Sequence, residues 1–68
     1  MKTIEKAIKT FNNKHTPYNT AVLDTLESYP GNYRIAICDD WGWCSWYTFS
    51  TVKDFTEWEK GVIFENEL

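Results

Sequence analysis

Residues with chemical potential crowd into one stretch, Cys38-Asp39-Asp40-Trp41-Gly42-Trp43-Cys44-Ser45-Trp46-Tyr47. Thiols, adjacent carboxylates and indoles stand there within a few positions of one another. A structural zinc site needs four ligands, and beyond Cys38 and Cys44 the chain offers only His15 as a comparable donor. Asp39 and Asp40 lack the alternating acidic spacing of a calcium loop, and neighbouring strand residues point to opposite faces. Turn chemistry accounts for the two aspartates more simply. Nucleophilic catalysis would need His15 near Ser45, Ser50, Cys38 or Cys44, and no local nucleophile motif joins them. His15 reads as a loop or packing residue. Three glycines form no phosphate-cradling loop. These residues predict no enzyme, no cofactor and no metal.

What remains is a recognition surface. Trp41 is expected at the tip of a turn and Trp46 on the outer face of a strand, beside Arg34 and Thr48. Trp and Arg dominate binding hot spots, so Trp41, Trp46 and Arg34, with Asp39, Asp40 and Glu57 as acidic neighbours, form the candidate partner-binding set. The competing expectation is that a helix or a further strand covers Trp46 and turns it into core. The two cysteines are expected as thiols acting as small hydrophobes, although their spacing places them opposite each other, where a bridge could form.

Elements must hold these residues in place. Ile4, Ala7, Ile8 and Phe11 recur at helical spacing, which predicts an amphipathic helix over residues 3–14. Thr16-Pro17 reads as a cap and first turn, and Tyr18, Ala21, Val22, Thr25, Leu26 and Tyr29 predict a second helix ending at Pro30-Gly31. From Tyr33 the period changes to two. Asp40-Trp41-Gly42 suits a three-residue hairpin loop with Gly42 in the left-handed bulge position. That loop pairs Tyr33 with Phe49, Ile35 with Tyr47 and Ile37 with Ser45 on one face. It pairs Arg34 with Thr48, Ala36 with Trp46 and Cys38 with Cys44 on the other. The first face, with Trp43, is assigned to the core.

Ser50 or Thr51 then caps a third helix; with Thr51 as the cap, Asp54 falls at the third position, with Val52, Phe55 and Trp58 inward and Gly61 just past the end. Val62-Ile63-Phe64 is expected to add a short strand. The outline is α+β, α-α-β-β-α-(β), with helices packed on one face of an antiparallel hairpin or three-stranded sheet, forming a single domain over residues 1–68.

Composition narrows the function further. Sixty-eight residues exclude a multidomain enzyme, and aromatics reach 18%, with four each of Trp, Tyr and Phe. The net charge is −3, and most acidic residues lie in the C-terminal half. A net negative chain is a poor nucleic-acid binder. No apolar run is long enough for a membrane span, and no secretory leader is visible, so a cytoplasmic protein is expected. The leading expectation is a small non-catalytic protein-binding module, an inhibitor or adaptor of phage or mobile-element type that occupies the surface of a host enzyme. The alternative is a single-stranded nucleic-acid binder that stacks bases on hairpin aromatics. Homo-oligomerisation through the same rings is a third option.

Overall fold

The computed structural model describes residues 3–68; Met1 and Lys2, the start of the expected domain span, lie outside the described residues. Helix α1 (Ile4–His15) opens where the Thr3 hydroxyl accepts the Lys6 N–H at 3.2 Å. Strands β1 (Asn19–Leu23), β2 (Tyr33–Asp39) and β3 (Cys44–Phe49) follow, then helix α2 (Val52–Gly61) and a short 3-10 turn, Glu65–Glu67. The Thr51 hydroxyl accepts the Asp54 N–H at 3.0 Å, which makes Thr51, of the two expected candidates, the cap of α2. Gly61 is the last helical residue itself; the left-handed glycines are Gly31 and Gly42.

The three strands form one antiparallel sheet in the order β1-β2-β3. The expected α+β class holds, with both helices on one face of that sheet. The hairpin register also matches: Tyr33 faces Phe49, Ile35 faces Tyr47 and Cys38 faces Cys44. Gly42 adopts φ +89°, donating its N–H to the Asp39 carbonyl at 3.2 Å, while Asp39 N–H donates to the Trp43 carbonyl at 2.8 Å. Those two bonds define a type I turn closed by a glycine bulge.

The expected second helix is not formed. Residues 19–23 are the first strand, paired with β2 so that Ala21 lies opposite Ile37. Tyr18, Val22, Leu26 and Tyr29, four members of the predicted helical stripe, are exposed, whereas Ala21 is buried. Two side chains divert this segment. The Asn12 carboxamide accepts the Ala21 N–H at 2.7 Å and donates to the Ala21 carbonyl at 3.0 Å. The Asp24 carboxylate accepts the N–H groups of Leu26 and Glu27 at 3.1 and 3.2 Å, closing a turn where the helix would have continued. Pairing also completes the β2 ladder, and a two-stranded hairpin alone is marginal in water. Val62-Ile63-Phe64 is not a strand either; Phe64 instead packs edge-on against Phe11, with ring centres 5.8 Å apart.

The core lies between the helices and one sheet face. Phe11, Phe55 and Ile35 are fully buried, with Ile4, Ala7, Ala21, Ile37 and Phe49 around them. Phe55 meets Phe49 at 5.3 Å, and Trp58 meets Tyr47 at 4.8 Å and Phe49 at 5.5 Å. Each such ring removes roughly 150–250 Å² from water, so a few of them close a core that aliphatic residues of this number would leave thin. Tyr47 remains partly exposed, and Trp43, expected in the core, is 77% exposed. Trp43 shares the inner face, but it lies at the turn end of the hairpin, past the helices that would have covered it.

Candidate functional site

The outer sheet face carries no helix among the described residues. Val22, Ala36 and Trp46 lie side by side across the three strands. Ala36 is only 4% exposed, because its small side chain is walled by larger neighbours in register, while Val22 and Trp46 are each 51% exposed. Such a cross-strand apolar row stabilises the sheet and leaves its outer rings available. The Arg34 guanidinium lies over the Trp46 ring, 4.0 Å from its centre. It is also held by the Asp24 carboxylate at 2.9 Å. Arg34 is therefore fixed at both ends, by a cation–π contact and an ion pair.

Asp24 shows the electrostatic effect of this arrangement. Desolvation pushes its carboxyl upward, but the Glu27 N–H, the Arg34 guanidinium and the Leu26 N–H outweigh it and hold it below the usual 3.8. Two residues further along the same two strands, toward the turn, Cys38 and Cys44 are joined by a disulfide, with Cα atoms 4.0 Å apart. The expectation of two thiols is corrected here. The facing residues belong to a non-hydrogen-bonded pair, where antiparallel strands approach most closely and side chains meet.

The hairpin tip is the second part of the site. Trp41 is 85% exposed. Asp39 does not offer its carboxylate outward: Oδ1 accepts the N–H of Trp41 at 2.9 Å and of Trp43 at 3.0 Å, which fixes the loop that presents both indoles. Asp40 reaches the Asn66 side chain at 3.4 Å. Trp46 and Arg34 are thus brought into contact, and Trp41 stands at the tip of the same hairpin. Glu57 is not brought to them: it is exposed on α2, in the opposite layer, where Lys53 lies 3.8 Å away.

A polar cluster that the sequence reading missed lies at the far corner. His15 is buried, with Nε2 2.8 Å from Glu59 and Nδ1 3.0 Å from Glu67. Each ring nitrogen of His15 therefore has a carboxylate partner. Asn19, also buried, donates to Glu67 and to Asn66, and Asn66 donates to the Tyr18 carbonyl at 3.0 Å. Burial raises the Glu67 carboxyl, yet hydrogen bonds from His15 and Asn19 and the charges of His15 and Lys14 keep it below 4.5. The cluster fastens the C-terminal turn to α1, β1 and α2. Its sequence signal was only a lone histidine near the end of a helix, with partners 44 and 52 positions away.

No described helix is long and apolar enough to cross a membrane. No protein-family model, curated protein or solved structure matches the chain.

Proposed function

We propose that this chain is a small non-catalytic protein-binding module that docks through its helix-free sheet face and hairpin tip. The observation that carries the reading is Trp46, half-exposed beneath a guanidinium fixed by its own ion pair. A pre-positioned Trp–Arg pair loses little side-chain entropy on contact, and these two residue types lead binding hot spots. Trp41 extends the surface from a turn whose backbone is held by Asp39. The partner we propose is another protein, a host enzyme blocked or bridged by an inhibitor or adaptor of phage or mobile-element type. The net charge of −3 supports a basic patch on that partner.

The test replaces Trp46 with a photo-crosslinking residue, identifies the captured protein, and measures its affinity for purified variants. Trp46→Ala and Arg34→Ala should each weaken binding by at least about tenfold, and Glu57→Ala, on the other layer, should leave it unchanged. Affinity unaffected by Trp46→Ala and Trp41→Ala would remove the proposed face. The competing nucleic-acid reading draws on the same rings, but Arg34 is the face's cation and Asp24 already holds it. Binding of a single-stranded oligonucleotide that strengthens steeply as salt is lowered would favour that alternative.

A cytoplasmic setting belongs to the same proposal, and the hairpin tests it. Bridges such as Cys38–Cys44 persist mainly in oxidising compartments. Alkylation inside intact cells decides: labelled cysteines would support a cytoplasmic setting, in which the bridge is reduced, and a fully bridged pair would place the protein in an oxidising compartment.

A further inference from the structure

The sheet has two edges, and the chain treats them differently. In an antiparallel sheet the main-chain groups of successive residues point alternately to one neighbour and the other. The Asp39 N–H bond to Trp43 fixes that phase. Ser45, Tyr47 and Phe49 therefore direct their N–H and C=O groups at β2, while Cys44, Trp46 and Thr48 direct theirs outward. The Asp24 N–H bond to the Arg34 carbonyl sets the same phase from the other side, so Ala21 points outward from β1. That outward position is occupied: the Asn12 carboxamide takes both Ala21 groups. Among the described residues, no side chain or loop takes the outward main-chain groups of Trp46 or Thr48.

An open edge is ordinarily guarded by charge, proline, a bulge or brevity. Strand β3, Cys44-Ser45-Trp46-Tyr47-Thr48-Phe49, has neither charge nor proline and runs as far as its partner requires. We propose that β3 is a dimerisation edge, pairing antiparallel with β3 of a second copy about a two-fold axis at Trp46. Phase and pleat restrict the register. Outward-pointing residues must meet outward-pointing residues, and centring on Trp46 aligns Trp46 with Trp46 and Cys44 with Thr48 at both ends.

Two observations favour a second copy as the occupant. The strand is uncharged in a chain of net charge −3, so it is a place where two copies approach without like charges in the seam. Pairing also closes the assembly. The outer edges of the joined sheet are both β1, where the Asn12 side chain stands at the central outward residue, Ala21, in the place a further strand would take, so growth stops at two. The dimer sets two Trp46–Arg34 faces side by side and enlarges the surface proposed for the partner, without depending on it.

Sedimentation equilibrium of the full chain, with amide hydrogen exchange, tests this over about 1 µM to 1 mM, the range of weak association. The expected mass climbs from 8.1 kDa to twice that value, and exchange at Trp46 and Thr48 slows with concentration while Ser45 and Tyr47 stay constant. Thr48→Pro removes an outward N–H that β2 does not use, and should weaken association at least about tenfold with an unchanged circular dichroism spectrum. If that variant does not fold, Trp46→Lys, which sets like charges across the axis, should weaken it equally. A monomer throughout the range, a dimer indifferent to the folded variant, or steady growth to larger species would each overturn the proposal. Thr48→Pro keeps Trp46, Arg34 and Trp41, so loss of the dimer and loss of partner capture are read separately.

Discussion

At the β1 side of the sheet, Asn12 closes the Ala21 main chain, and the side chains of Asn19, Glu67, His15 and Glu59 are joined in one cluster. At the β3 side the backbone is open, the aromatic rings are exposed, and Arg34 reaches in from the neighbouring strand. The contrast separates stability from recognition. Unmade hydrogen bonds in a buried corner cost free energy, so that corner is closed internally. An open edge beside water costs little and stays available to another molecule.

The strongest way to break the contrast is at its closed corner. His15→Leu leaves Glu59 and Glu67 without the imidazole that both contact, and should destabilise the fold by about 3 kcal/mol in urea unfolding. A loss no larger than that of an exposed-residue change such as Trp41→Ala would mean that the corner is ornamental.

Asn12→Ala sharpens the comparison by making the two edges alike. Loss of both bonds to Ala21 should cost about 1–2 kcal/mol. It also exposes β1 as a second open edge, so the variant should form species beyond a dimer in sedimentation. A variant as discrete in size as the parent would show that Asn12 does not guard that edge.

The smallest expected effect is on the acid limb. Glu67 and Asp24 both have carboxyls held below their ordinary values of 4.5 and 3.8. The unfolded chain therefore binds protons first, so their stabilisation is full above that range and fades as pH falls through the folded-state values. Glu67→Gln should flatten the loss of unfolding free energy between neutral pH and about pH 3. Coincident acid limbs for variant and parent would exclude Glu67 as a contributor.

Much of the open side was legible in the chain itself. Alternation from Tyr33 to Phe49, with Gly42 at the one turn position that requires positive φ, specified the hairpin and its register. That register put Trp46 beside Arg34 and Cys38 beside Cys44. The thiol reading failed because it was drawn from compartment, whereas strand geometry decided the bridge. Trp43 was misassigned because alternation fixes the face of a residue but not how far the covering helices extend.

The closed side was hardly legible. Residues 18–29 satisfy a helical period, and residues 19–23 do not alternate as a strand would; the choice fell to Asn12 and the unfilled side of β2, which a local window does not weigh, together with the Asp24 turn. His15 has its meaning only through Glu59 and Glu67.

By itself the sequence determined what depends on neighbours along the chain: the cap region of α2, the hairpin turn, and the alternation that sorts rings between two faces. Tertiary structure alone decided what depends on distant partners: the strand where a helix was foreseen, the charge pair around His15, and which edge of the sheet is sealed. The physical reason is that local dihedral preferences are set within a few residues. Hydrogen-bond satisfaction and burial are settled only when separated segments meet.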